Sequence, residues 1–331
     1  MPLLLTRKDV ESVLTMKDCI EAVEAGFRQL GRGRVVMPQR TAIRVADAPG
    51  LHLGMPAWIA GDGPDDPGVL ALKVVTVFAQ NPSKYGLPTT IGTLLLNDAR
   101  TGALVAIMDA GFLTAMRTGA ASGVATRWLA REDARTVGVF GAGVQARTQL
   151  LAVAEVRSIE RAVVCDVVPE ASERYAADMG DRLGIPVTVA SDPRACLECD
   201  VVVAATSSRT PLFDGAWLQP GTHLNAIGSH SPDARELDSE TIRRSVLITD
   251  LASARFAEDA DLQIPLREGV IAESHPRADL GEVIAGLKPG RTSPWEITLF
   301  KSGGLAVQDV AAAARVYALA REGGVGREIE I

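Results

Sequence analysis

The sequence predicts an α/β protein of two domains, and three observations carry that prediction. From residue 136 onward, short apolar runs of strand length alternate with helical patterns, which implies a mostly parallel sheet covered on both faces. Between about residues 37 and 110, strand-like runs instead follow one another with turn signals between them, a β-rich unit. Where strand meets helix near residue 141 stands a G-x-G-x-x-A, Gly141-Ala142-Gly143-Val144-Gln145-Ala146. The fold class is therefore α/β: a Rossmann-type parallel sheet domain joined near residue 115 to a β-rich α+β domain.

In chain order, residues 6–31 read as two helices. Thr15 caps the second, with Asp18 three residues on as its partner. Ile20, Val23, Phe27 and Leu30 recur at helical spacing, and Gly31 and Gly33 end the helix. The strand-like runs are Thr41–Val45, Leu51–Ile59, Leu70–Phe78, Ile91–Asn97 and Leu104–Asp109, with a turn at Asn97–Gly102 that suggests a hairpin. The run from Gly61 to Pro67 marks an exposed loop. Phe112–Ala130 reads as a helix whose Ala, Gly and Thr allow close packing or close approach of a ligand.

Strands are then expected at Val137–Phe140, Arg161–Asp166, Val187–Ala190, Asp200–Thr206, Thr222–Gly228 and Val246–Asp250. By residue 305 the nucleotide domain reads as complete. The helix Leu305–Ala320 follows Gly303-Gly304 and is expected to return to the first domain.

Composition narrows the function classes. The 331 residues are 47% hydrophobic with a formal charge of −7, and Arg and Lys are scattered, which argues against nucleic acid and anionic membrane surfaces as partners. The apolar start Met1–Leu5 is too short for a signal-peptide core, and no run approaches the roughly 18–20 apolar residues of a membrane span. A cytoplasmic protein is expected. Cys196 and Cys199 form a C-x-x-C without a second pair of ligands, so no metal site is expected and the thiols read as reduced and structural.

The glycine motif has a mechanism. Gly141 permits the tight turn, Gly143 lets the backbone approach a pyrophosphate, Ala146 lets helix and strand pack closely, and the helix N-terminus faces the phosphates. Asp166 ends the next strand about 20 residues on, the spacing of the ribose-binding acid. It would accept bonds from the ribose hydroxyls and repel a 2′-phosphate. Val167, Val168, Pro169 and Glu170 follow with no Arg or Lys nearby, so NAD is expected rather than NADP.

The substrate side is less legible. Lys73 sits within LALKVVTVF, where flanking Leu72 and Val74 suggest that it points to solvent. Arg117 sits among small and apolar residues, where it must find an anion or lie exposed, and a substrate carboxylate fits. Arg40 begins a strand. His230, beyond the fifth strand, reads either as a proton-transfer group or as a loop residue at the cleft rim. His223, inside that strand, reads as structural.

Several blocks, in order, resemble the ornithine cyclodeaminase/μ-crystallin family, which includes archaeal-type alanine dehydrogenases and ketimine reductases. They are Met55-Pro56-Ala57, Lys73, Leu113–Ala120, the glycine motif, His223–Gly228 and Thr298–Ser302. The resemblance implies a substrate-binding and dimerisation domain from 1–115 and 305–331, a Rossmann domain inserted at 116–304, and a homodimer. It implies that Arg40, Lys73 and Arg117 hold a substrate carboxylate, with Gly303 also at the substrate. Thr89, Thr118, Gly141, Gly143, Val144, Gln145, Asp166, Thr206, Asn225, Ala226, Ile227, Gly228 and Ser302 would contact the cofactor. His230 stands where ornithine cyclodeaminases look to a catalytic aspartate, and an imidazole is no permanent anionic partner for an ammonium group. The resemblance therefore favours an NAD-dependent imine reductase or amino-acid dehydrogenase, with Lys73 and His230 as candidate proton-transfer groups. Cyclodeamination of ornithine and a non-catalytic μ-crystallin-like nucleotide-binding role remain the alternatives.

Overall fold

The computed structural model describes residues 1–45, 50–63, 65–229 and 235–330. The chain divides into two compact units, Met1–Arg117 with Leu305–Ile331, and Thr118–Gly304.

The first unit begins with β1 (Leu3–Leu5), α1 (Arg7–Val13) and α2 (Met16–Gly31). It continues with β2 (Val35–Val36), β3 (Thr41–Val45), β4 (Gly50–Ile59), β5 (Val69–Phe78), α3 (Asn81–Tyr85), β6 (Thr90–Asp98) and β7 (Leu104–Asp109). Thr15 caps α2 by accepting the Asp18 N–H at 3.1 Å, and Ile20, Val23 and Phe27 are wholly buried. The strands form a mixed sheet in the order β16-β1-β7-β6-β5-β4-β2, with β3 also on β4. Here α12 (Ala306–Gly323) and β16 (Arg327–Glu328) come from the end of the chain. The pairs from β2 to β7 are antiparallel, β6 and β7 forming the hairpin, and β1 joins β7 in parallel.

Helix α12 packs on α2, β4 and β5. This decides which face of β5 is interior. Ala71, Lys73 and Val75 are buried, whereas Leu70, Leu72 and Val74 are only partly covered. The sequence reading of Lys73 as solvent-facing is thus corrected. Both faces of this strand are apolar, so alternation alone could not tell inside from outside, and the helix that settles it lies more than 230 residues away in the chain.

Helix α4 (Gly111–Leu129) crosses from one unit into the other along the chain. In the second unit it packs close: a Cβ added at Gly119 would stand 2.5 Å from the Thr148 carbonyl oxygen, so the small residue serves packing. That unit holds β8 (Thr136–Phe140), α5 (Val144–Val156), β9 (Arg161–Cys165), α6 (Pro169–Leu183), β10 (Val187–Val189), α7 (Arg194–Leu197), β11 (Val201–Ala204) and β12 (His223–Ala226). It is completed by α8 (Ser239–Arg244), β13 (Ser245–Thr249), α9 (Ala252–Glu258), α10 (Ala260–Arg267), β14 (Ala278–Asp279), α11 (Leu280–Ile284) and β15 (Ile297–Lys301).

Its sheet runs β10-β9-β8-β11-β12-β15-β13-β14, parallel throughout. Both faces are covered, so the strands are continuously apolar. Val137, Val139, Val201 and Val203 meet Leu150, Val153, Tyr175 and Met179 on one side. Phe140, Val202, Leu224 and Leu299 meet Leu237, Ile242 and Leu262 on the other. The six strands read from the sequence are not the whole sheet: β15 enters it between β12 and β13, and β14 pairs with β13. Cys196, within α7, and Cys199, between α7 and β11, are buried free thiols.

Candidate active site

The order of strands reverses at β8, which has β9 on one side and β11 on the other, and ligands of open parallel sheets collect at the carboxyl ends beside such a reversal. Gly141 opens the turn after β8 at φ +100°, and a Cβ there would stand 2.5 Å from the Ala205 carbonyl oxygen. Gly143 is the N-cap of α5. No side chain caps that helix, and a Cβ on Gly143 would meet nothing within 4 Å. The result is an open cradle at a helix N-terminus, with Val144 exposed and Gln145 half-buried beside it, suited to a pyrophosphate.

Asp166 lies just past β9 and is tied to the turn. Its Oδ2 accepts the Ala142 N–H at 2.8 Å and its Oδ1 accepts the Val168 N–H at 3.0 Å. Each oxygen retains a lone pair for a ribose hydroxyl. Arg147 donates to the Ala142 carbonyl at 3.0 Å, pairs with Asp178 at 2.6 Å and lies over the Tyr175 ring. Arg147, from the first turn of α5, and Asp166 thus bond to the same residue, Ala142.

The other candidates in this unit sit at the carboxyl ends of the strands. The Thr206 amide and hydroxyl both donate to Glu236 Oε1, at 2.6 and 2.7 Å. Gly228 N–H donates to Glu236 Oε2 at 2.7 Å. Buried Glu236 thereby joins the loops after β11 and β12, and burial pushes its carboxyl above the usual range. Ala226 and Ile227 are buried, and the Asn225 side chain is turned inward, donating to Thr126 Oγ1 at 3.0 Å. Ser302 hydroxyl and Gly303 N–H both donate to Asp250 Oδ2, at 2.7 and 3.0 Å. Lys301 pairs with Asp259 at 3.2 Å and Asp261 at 2.9 Å, all three buried. The Thr118 carbonyl accepts from Gln149 at 3.1 Å. His230 lies outside the described residues. His223 is buried, with Nδ1 on Thr298 Oγ1 at 2.9 Å, and burial pushes it down to about 3.

In the first unit a cationic cluster forms under α12. Lys73 Nζ and Arg117 Nε both donate to Asp309 Oδ1, each at 2.8 Å, and Arg117 Nη1 donates to Gln308 Oε1 at 2.7 Å. Lys73 is 1% exposed and Asp309 0%. The cross-strand neighbours of Lys73 are Met55 and Leu94, both apolar and buried. Burial pushes the ammonium down to about 8; Asp309 resists this, and the charges of Arg117 and Arg40 add to it. Arg40 is half-buried ahead of β3, and Thr89, in the loop before β6, accepts the Phe78 N–H on its carbonyl at 2.8 Å. With two cations on one carboxylate, the cluster is short of negative charge and suited to an anion.

Residues 1–324 match the model of the ornithine cyclodeaminase/mu-crystallin family. The chain belongs to that family. It is 38% identical to an alanine dehydrogenase of Archaeoglobus fulgidus, over 99% of this chain and 98% of that protein. It is 37% identical to a Delta(1)-pyrroline-2-carboxylate reductase of Bacillus cereus, over 99% of each. The structure of Thermococcus litoralis Delta(1)-pyrroline-2-carboxylate reductase in complex with NADH and L-proline superposes with a TM-score of 0.94 at 46% identity, covering 99% of this chain and 100% of that one.

Within this family member, sequence reasoning overlooked Asp309, Gln308 and Glu236. For the first two a signal was present: a Gln-Asp pair inside the otherwise apolar LAVQDVAAAA. A charge on a helix face destined for the core needs a partner. Glu236 had no such signal, because its neighbours are ordinary loop residues. No helix among the described residues is long and apolar enough to cross a membrane.

Proposed function

We propose that the protein is an NAD-dependent oxidoreductase acting on the C–N bond of a small amino acid or its imine, with a carboxylate-bearing ketimine as substrate in the reductive direction. The observation that carries this is the buried Lys73–Asp309–Arg117 cluster, two cations on one carboxylate, in a chain that also holds an open dinucleotide cradle. The substrates named for the relatives, alanine and pyrroline-2-carboxylate, support the same class.

The cradle fits NAD: Gly141, Gly143 and the start of α5 would hold the pyrophosphate and Asp166 the ribose. When bound, NADH supplies the hydride that the imine carbon takes up. Arg117, with Arg40, orients the substrate carboxylate. Lys73 donates a proton to the imine nitrogen, leaving a neutral amine that water reprotonates. In the oxidative direction the neutral amine of Lys73 takes that proton. His230 remains a second candidate for proton transfer.

We also propose a homodimer joined through the face of the β-rich sheet opposite α12, where Leu70, Leu72, Val74 and Leu95 are only partly covered, and a cytoplasmic location. Light scattering tests the dimer and fractionation the location.

The test of function follows NADH absorbance with purified protein. Cyclic ketimines and pyruvate plus ammonia are offered with NADH or NADPH, and alanine and ornithine with NAD. Oxidation of NADH by one imine is expected. Proline and ammonia from ornithine without net NADH would establish cyclodeamination instead, and nucleotide binding without any turnover would refute the enzymatic reading.

A further inference from the structure

The cationic cluster contains a residue whose function the substrate-binding reading does not explain. Asp309 contributes one oxygen, Oδ1, to both Lys73 and Arg117, while its other oxygen is buried and accepts no hydrogen bond. Next to it the amide nitrogen of Gln308 is likewise buried without an acceptor. Most buried carboxylate oxygens accept at least one hydrogen bond. This one is spent on holding two cations at a common point.

We propose that Asp309 is a positioning residue: it locks Lys73 and Arg117 side by side and keeps the buried Lys73 ammonium charged until a substrate carboxylate arrives. This rests on the reading of the cluster as the substrate-carboxylate site. The charged groups facing Lys73 are Arg40 from the segment before β3, Arg117 from α4 and Asp309 from α12. From α2, Cys19 feels the charges of Arg117 and Asp309, and burial keeps its thiol neutral. Asp309 is thus the anion that stabilises the ammonium against burial and two guanidinium charges. Without it, Lys73 would lose its proton at lower pH, and the proton donor of the reductive step would be empty where the enzyme works.

The test titrates Lys73 directly, so it does not depend on the substrate. In full-length protein carrying 13Cε-lysine, the Lys73 resonance is assigned by its loss in Lys73→Arg and followed against pH. Asp309→Asn is expected to lower the midpoint by about one pH unit or more, and Asp309→Glu to restore part of that shift. Unchanged NADH binding, read by fluorescence, shows that the fold is intact. With a ketimine that the wild type reduces, the alkaline limb of kcat/KM should move by the same amount as the resonance. A wild-type midpoint in Asp309→Asn overturns the proposal. Should that variant lose NADH binding too, the second neutral variant Asp309→Ser decides: a lowered midpoint supports the proposal and an unchanged one overturns it. If the wild type turns over no imine, the functional reading fails while the titration still decides the role of Asp309.

Discussion

Two glycines of one motif should respond in opposite ways to the same substitution. Gly141 holds φ +100°, and an alanine there would place its Cβ 2.5 Å from the Ala205 carbonyl. The backbone conformation costs about 1–3 kcal/mol for a non-glycine residue. Relieving the contact between the turn after β8 and the residue following β11 costs a further ~1–3 kcal/mol, as overpacking does. Taking about 3 kcal/mol in total, the melting temperature should fall by roughly 10 °C for a unit of this size. Gly143 has extended backbone and no atom within 4 Å of an added Cβ. Gly143→Ala should therefore leave stability unchanged or raise it by ~0.4–1 kcal/mol through the unfolded chain. The new methyl group would occupy the space left for the pyrophosphate, so NADH affinity should drop at least about tenfold, equivalent to ~1.4 kcal/mol. Differential scanning fluorimetry and NADH fluorescence titration of both variants measure the two effects. A Gly143→Ala protein that binds NADH as the wild type does would refute the placing of the nucleotide in this cradle.

Other consequences follow from the same geometry. Asp166→Asn removes the charge that opposes a 2′-phosphate and weakens the hold on the Ala142 N–H, so the ratio of kcat/KM for NADH over NADPH should fall about tenfold or more, with Arg147 available to the extra phosphate. An unchanged ratio would show that the preference is set elsewhere. Because Lys73 is held down to about 8, kcat/KM for imine reduction should decline as pH rises through about 8, and that for amine oxidation should rise over the same range. Lys73→Met should abolish both limbs, which steady-state kinetics across pH would reveal. His223 is pushed down to about 3 while an unfolded histidine titrates near 6.5, so between those values the unfolded chain binds more protons. Stability from this residue is therefore complete above about 6.5 and lost as pH falls toward 3, on the order of 5 kcal/mol in all. Urea midpoints measured against pH should show a shallower acid slope in His223→Gln, and an equal slope would exclude His223 as the source.

The parts of this protein legible from sequence are those governed by neighbours along the chain. Helix α2 could be placed from its Thr15 cap and the spacing of Ile20, Val23 and Phe27, because a cap and an amphipathic face are set within one or two turns. The turn, helix and acid of Gly141–Ala146, α5 and Asp166 were likewise readable, since one β-α-β unit contains them all. Even there, Arg147 went unnoticed as a neighbour of Asp166, because the two meet only through the Ala142 peptide.

Tertiary structure decided the rest. Strand β15 gives little local signal, being five residues after a long irregular segment, and its central place depends on pairing with β12 and β13. Lys73 lies on a strand apolar on both faces, so periodicity could not orient it. What orients it is α12, which brings Asp309 from 236 residues along the chain to accept a hydrogen bond from its ammonium. By itself the sequence determined the two kinds of sheet, the glycine turn after β8 and the acid after β9. Only the folded chain decided that Lys73 is buried and that Asp309 holds it, because a buried charge is tolerated only where another segment supplies its counter-charge.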